Sequence, residues 1–243
     1  MDDRAAYLAR WELDGVGGVV VAVDVLRAFT TAAYAFAGGA SAIWLVSGVD
    51  EAIELGRSMP GSLVIGEQHG RRPDGFDLPN SPVAISEADV DGRVLVQRTS
   101  AGTQGVVAAT SADRVFATSL VCASATATAV TGALDASTRA ASTRVAPTYV
   151  ITGRFPDRPD GGLDDLATAR FVEAVRTGRT ADAPAVAEEV ATSDEAALTL
   201  AVGAGHVHPD DIALAVDVDR FSFAMEAERV DGRWRLTRHD VLG

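Results

Sequence analysis

The residues Val19-Val20-Val21-Ala22-Val23-Asp24-Val25-Leu26-Arg27-Ala28-Phe29-Thr30-Thr31 constrain this chain more than any other stretch. An unbroken β-branched apolar run is the pattern of a strand buried on both faces of a sheet flanked by helices. A carboxylate, a guanidinium and two hydroxyls follow within eight residues, and then Ala32 to Ala37 favours a helix that Gly38-Gly39 stops. Strand, charged turn, helix is the unit of an α/β fold. In open α/β sheets, ligands sit at the carboxyl ends of strands, beside the first turns of the following helices. Asp24 falls at such an end, with Arg27, Thr30 and Thr31 just beyond it. A buried Asp needs a cationic partner, and Arg27 or a divalent metal would serve.

The unit recurs. Ala42–Val46, Leu63–Gly66, Arg93–Gln97, Val115–Ser119 and Val145–Ile151 read as further strands, and helical spacing follows several of them. Pro147 suggests an edge position or a late start for the last of these. The lead-in to about residue 18 reads as an edge strand or a helix carrying Trp11, and residues 179–192 read as a surface connection. Phe221–Glu228 and Trp234–Thr237 flank Asp231-Gly232, a hairpin signature. The expected architecture is a single α/β domain over residues 1–243. It is a three-layer α/β/α sandwich around a largely parallel sheet, with a C-terminal helix and β-hairpin addition.

In such a sheet, four polar clusters at strand ends would share one edge: Asp24 with Arg27, Thr30 and Thr31; Glu67; Arg98, Thr99, Ser100 and Thr103; and Thr118 with Ser119. Between Glu67 and the next strand runs a polar loop, Gln68 to about Pro82, in which Gly70, Pro73, Gly75 and Pro79 argue against helix or sheet. Loops of this length inside compact domains are usually functional or disordered, and function is the favoured reading here. Phe76 and Leu78 alternate with Asp77 and would pin it to the core. Hard carboxylates with hydroxyls, and no His or Cys cluster, suit Mg²⁺. Arginine and threonine beside helix starts suit an oxyanion such as phosphate.

Composition narrows the choices. All 21 basic residues are arginine, so a catalytic lysine is excluded, and the net charge of −13 argues against general nucleic-acid binding. No apolar segment is read as a membrane span, and the acidic Met1-Asp2-Asp3 start does not resemble a secretory signal. Cys122 is the single cysteine, which fits a reducing, cytoplasmic setting and rules out an intrachain disulfide. No Gly-x-Ser-x-Gly nucleophile elbow is present. A homo-oligomer is left open.

In order along the chain, DVLRAFTT, GEQHGRRPDGFDLPNSP, RTSAGT, TSLVCASATA and GRFPDRPDGGLDDL resemble the 2-phosphosulfolactate phosphatase family. The resemblance implies an α/β/α fold and Mg²⁺-dependent hydrolysis of 2-phospho-3-sulfolactate to 3-sulfolactate and phosphate, a step of coenzyme M biosynthesis in archaea. Asp24, Glu67, Asp164 and Asp165 would hold or orient the metal. Asp24, Arg27 and Glu67 would form the catalytic centre. Thr30, Thr31, Arg98 and Thr99 would bind the phosphate of a small anionic substrate. Asn80, Ser81 and one of Arg71 and Arg72 would address its carboxylate and sulfonate. Asp24 would act as a covalent nucleophile, or the metal would activate water. The chain departs from the family pattern at Gln68-His69, Ala101 and Cys122, where an arginine and two asparagines are usual. These departures bear on how the outer groups of the substrate are held. Two other readings are a phosphatase for another phosphorylated hydroxy acid and a non-catalytic anion-binding relative.

Overall fold

The computed structural model describes residues 5–141 and 146–241. The chain begins with a short edge strand β1 (Ala6–Leu8) and a 3₁₀ turn carrying Trp11 (Arg10–Glu12), and the apolar run forms β2 (Val19–Val23). There follow α1 (Ala28–Ala37), β3 (Ala42–Leu45), α2 (Val49–Ser58), β4 (Leu63–Gly66), β5 (Leu78–Pro79), α3 (Pro82–Ser86), β6 (Val94–Arg98), α4 (Gly102–Ala108) and β7 (Arg114–Thr118). After these come α5 (Ala123–Ala141), β8 (Thr148–Ile151), α6 (Leu163–Arg176), α7 (Ala183–Ala191), α8 (Asp194–Ala201), α9 (Asp211–Ala215) and the hairpin β9 (Phe223–Val230) and β10 (Arg233–Asp240).

The class is α/β, but the ten-stranded sheet is mixed rather than largely parallel. Its order is β1-β8-β2-β7-β9-β10-β3-β6-β4-β5. Strands β1, β8, β2 and β7 form one parallel block, and β3, β6, β4 and β5 form another. The pairs β7/β9, β9/β10 and β10/β3 are all antiparallel, so the two blocks run in opposite directions. The C-terminal hairpin is therefore the centre of the sheet, not an addition to it. Sequence periodicity reports burial, which a parallel strand and a central antiparallel strand share, so it could not reveal this insertion.

Alternation along each strand divides the core. Val20 and Ala22 of β2, Met225 of β9, Leu236 of β10, Ile43 of β3, Leu95 of β6 and Ile65 of β4 join one cluster around Phe29 and Phe36 of α1. One face of the whole sheet thus wraps a common core. On the other face, Val19, Val21 and Val23 pack with Phe116 and Tyr149 against α5 and α6. Val64 and Val96 pack against α2. This curling brings the carboxyl end of β6 to that of β2, where Gln97 Nε2 donates to Ala28 O at 2.9 Å. Three of the polar strand ends meet after all, by curvature instead of by a shared parallel edge.

Several local expectations change. The polar loop is not free of regular structure: Leu78–Pro79 pairs with β4 at the sheet edge, where a residue without an N–H is tolerated. The two-way bond between Asp77 and Val64 anchors it, and Phe76 is buried as the alternation suggested. Pro147 marks a late start, not an edge, since β8 lies between β1 and β2; Val145 lies outside the described residues. Residues 179–192, expected as a surface connection, hold α7, capped by Asp182. The window Leu120–Ser137 does reach membrane-span length and apolarity, with a mean hydropathy of 1.2, but 61% of it is buried inside the fold. Its small Ala and Thr residues let α5 pack closely on the sheet and α6.

Candidate active site

The turn after β2 positions Asp24. Its Oδ1 accepts the Ala28 N–H at 2.8 Å, which starts α1, and its Oδ2 lies 3.4 Å from the Thr152 hydroxyl. Gly102 opens α4 directly against it; a Cβ there would stand 2.7 Å from Asp24 Oδ2 and 2.6 Å from the Ala28 Cβ. The glycine is needed for this contact.

Asp164 and Asp165 come from the first turn of α6 and are buried beside Asp24. Asp165 is fully engaged: Oδ1 accepts Val25 N–H at 2.9 Å, and Oδ2 accepts Gly153 N–H at 2.8 Å and the Thr152 hydroxyl at 3.2 Å. Asp164 Oδ1 is buried without a hydrogen-bond partner. Nearby, Glu195 takes Arg158 and Gly162 N–H on Oε1, while its Oε2 is also unpartnered.

Three carboxylates so close and so dry resist ionisation. Burial, opposed by the Ala28 N–H and reinforced by the charge of Glu67, pushes Asp24 up to about 6. Burial, then Glu195, pushes Asp164 up to about 7. Burial and the charges of Asp164 and Asp24 hold Asp165 well above the usual carboxylate range.

Glu67 ends β4, where Gly66 has φ 131° and its backbone presses on Arg98 O. Its carboxylate organises the turn after β6. Oε1 accepts Ser100 N–H, and Oε2 accepts Gly70 N–H at 2.6 Å and the Ser100 hydroxyl at 3.1 Å. Arg98 reaches back to Glu67 O at 2.8 Å and Ser47 O at 3.0 Å.

A cleft of about 940 Å³ gathers these groups. Asp24, Arg27, Glu67, Asn80, Arg98, Asp164 and Asp165 all line it, and Asn80 Oδ1 is buried without a partner. The remaining expected residues do not line it. Thr30 donates to Val25 O at 2.7 Å, and Thr31 is wholly buried. Ser81 caps α3 through Ala84 N–H, and Thr99 accepts Thr103 N–H. Arg71 and Arg72 are exposed, Arg72 donating to Asp77 O.

The expected four-carboxylate metal set does not converge. Among the described residues, no group of three or more His, Cys, Asp and Glu side chains is arranged to hold a metal ion. Glu67 and Asp165 direct their oxygens at backbone donors. Asp24 and Asp164 remain, both buried and lining the cleft, Asp164 with a free oxygen, which suits an ion held by one or two carboxylates that keeps much of its water.

Sequence reasoning missed Asp211, Glu195, Arg10 and Arg158. Asp211 is fully buried and pairs with Arg27 at 2.7 Å, so the partner of Arg27 is not Asp24. Arg10, Arg158 and Glu195 line the cleft. Asp211 follows Pro209 at a helix start and reads as an ordinary cap; nothing local signals pairing with a residue far back in the chain.

A family model described as 2-phosphosulpholactate phosphatase matches residues 8–139. A probable 2-phosphosulfolactate phosphatase of Bacillus subtilis is 34% identical over 160 residues, 65% of this chain and 64% of that protein, just under two thirds of its length. One from Thermoplasma acidophilum is 28% identical over 220 residues, 90% of each chain. One from Carboxydothermus hydrogenoformans is 41% identical over 108 residues, 44% of each.

Proposed function

The chain belongs to the 2-phosphosulpholactate phosphatase family, and we propose that it hydrolyses 2-phospho-3-sulfolactate to 3-sulfolactate and phosphate in this cleft. The observation that carries the reading is buried Asp164, with one unpartnered carboxylate oxygen, beside buried Asp24 in a cleft that Arg27 and Arg98 also line. The acids suit a divalent cation, and the guanidiniums suit the oxyanions of a phosphorylated acid.

Asp24 and Asp164 would hold Mg²⁺, with Asp165 orienting the turn behind them. The chemistry Mg²⁺ supplies when bound is polarisation of the phosphoryl group and acidification of water. Asp24, its carboxylate fixed by the Ala28 N–H, would attack phosphorus as the P–O bond to the sulfolactate oxygen breaks, leaving an aspartyl phosphate for water to hydrolyse, or would take the proton of a water that displaces the same oxygen. Arg27, held by Asp211, meets charge that grows on the transferring group, and Arg98, held by the Glu67 and Ser47 carbonyls, faces the acid borne beside it. Their positions are set before substrate arrives, so little reorganisation accompanies the reaction. The single buried Cys122 supports a reducing, cytoplasmic setting.

Release of phosphate from 2-phosphosulfolactate, with Mg²⁺ or with a chelator, tests the reading. Turnover should require the metal and fall by roughly 10²- to 10³-fold in Asp24→Asn. A folded protein that binds Mg²⁺ without turning over the substrate would overturn it. Ala101 and His69 line the cleft at positions where the chain departs from the family pattern, and this favours a second reading: a phosphatase for another phosphorylated hydroxy acid.

A further inference from the structure

Four arginines line the cleft, and they fall into two kinds. Arg27 is paired with Asp211 and Arg158 with Glu195, so their charges are met within the protein. Arg10 and Arg98 form no ion pair with any carboxylate among the described residues. Their partners are neutral: Arg10 Nη1 donates to Ser100 O at 2.9 Å, and Arg98 donates to Ser47 O, Glu67 O and, at 3.3 Å, to Ser100 Oγ.

Both guanidiniums are therefore gripped by the same turn. Ser100 holds Arg10 on its carbonyl and Arg98 on its hydroxyl, and Glu67 locks Ser100 through its N–H and hydroxyl. Arg10 is further fixed by stacking, its guanidinium carbon 4.9 Å from the Phe155 ring centre. Two immobilised guanidiniums thus meet at one concave place, with the Glu67 carboxylate bound to the same Ser100. Guanidiniums whose own partners are neutral oxygens are complementary to an anion supplied from outside.

We propose that Arg10 and Arg98, assembled on the Ser100 turn, form a subsite for a second acidic group of the substrate, a carboxylate or sulfonate borne next to the phosphoester. The inference rests on the phosphatase reading above and deepens it: it makes Arg10 a determinant of specificity for phosphomonoesters that carry another strong acid.

The Mg²⁺-loaded enzyme is compared on three phosphomonoesters: 2-phosphosulfolactate, 2-phospholactate, which lacks the sulfonate, and isopropyl phosphate, which lacks both acids. Wild type should prefer the acid-bearing esters. In Arg10→Gln this preference should shrink by roughly 10- to 100-fold, the loss of one charge-assisted contact, and appear mainly in KM. Arg10→Lys, which keeps the charge without the planar fork, should recover part of it. It also carries the test if the Gln variant does not fold. Whether the collapse begins between the first two esters or between the last two identifies the acid as sulfonate or carboxylate. An unchanged preference in both variants, or an equal fall on all three esters, overturns the subsite while leaving the phosphatase reading intact. Absence of wild-type turnover on every ester overturns both.

Discussion

Arg27 Nη1 and Asp211 Oδ2 lie 2.7 Å apart with both side chains almost wholly buried. The pair joins the turn after β2 to the start of α9. Asp211 is saturated by further donors: the Ser81 hydroxyl at 2.6 Å, His208 N–H at 2.9 Å and Val83 N–H at 3.3 Å. This many donors fix the carboxylate in place, and it holds its guanidinium in one orientation. Arg27 also donates to His206 O at 3.1 Å, so the segment before α9 forms one wall of its mount.

Asp211→Ala should cost about 3–5 kcal/mol of stability, because it leaves a buried guanidinium without its counterion. Urea unfolding measures the loss. Asp211→Asn keeps the shape and some acceptor capacity and should lose less stability, yet still reduce turnover by freeing Arg27. A loss under about 1 kcal/mol in the Ala variant would mean that water reaches and solvates Arg27.

The acid cluster predicts an unusual pH dependence. Asp24 and Asp164 bind protons more tightly folded than unfolded, with folded values of about 6 and about 7 against 3.8. Their stabilising effect is complete below the unfolded value and is lost as pH rises through the folded ones. In chelator, the wild-type protein should therefore lose stability on the order of 3 kcal/mol from these groups between about pH 5 and pH 8. Asp164→Asn removes one of them. Its midpoint should match wild type only below about pH 4 and exceed it by a margin that widens up to about pH 7, as read by thermal unfolding from about pH 4 to pH 8. Parallel profiles for the two proteins would refute the cluster.

How far the sequence revealed this site depends on range. Asp24, Arg27, Glu67 and Arg98 were visible because each ends or follows an apolar strand, and that pattern is local. The hydroxyls beside them carry the same local signal, yet the structure turns them to other partners. Thr30, Ser81 and Thr99 satisfy backbone groups within a few residues of themselves, which is the commonest use of a hydroxyl near a helix start. Arg71 and Arg72 looked like anion ligands, but the turn that carries them points them outward, and direction within a loop has no periodic signature. Asp211, Glu195 and Arg10 join the site only through the curl of the sheet. That curl depends on the hairpin β9/β10 inserting between two blocks formed earlier in the chain, a pairing that no local pattern encodes.

Gly102 packs directly against Asp24. Gly102→Ala would place a methyl 2.7 Å from Asp24 Oδ2 and 2.6 Å from the Ala28 Cβ, so α4 or the β2 turn must shift. The cost should be about 1–3 kcal/mol, with a larger effect on turnover than on folding, since Asp24 is displaced. Steady-state kinetics beside denaturant unfolding separates the two. Equal activity at wild-type stability would show that the α4 start can retreat without moving Asp24.

Cys122 is completely buried at the end of the 3₁₀ turn before α5, and burial pushes its thiol above the ordinary range. Thr118 and Thr126 lie beside its sulfur at 3.8 and 3.9 Å. A thiol in that position is neutral and out of reach of reagents. The native protein should not react with an aromatic disulfide reagent on the minute timescale, whereas the urea-unfolded chain should titrate its single thiol at once. Because the cysteine sits against α1 and the concave core, its labelling rate in native buffer should track global opening and slow when stability rises. Lowering the pH of the chelated protein from about pH 8 to pH 6 should therefore slow labelling by more than the fall in thiolate fraction explains. If the rate follows thiolate fraction alone, the acid cluster does not govern the stability of the core around α1.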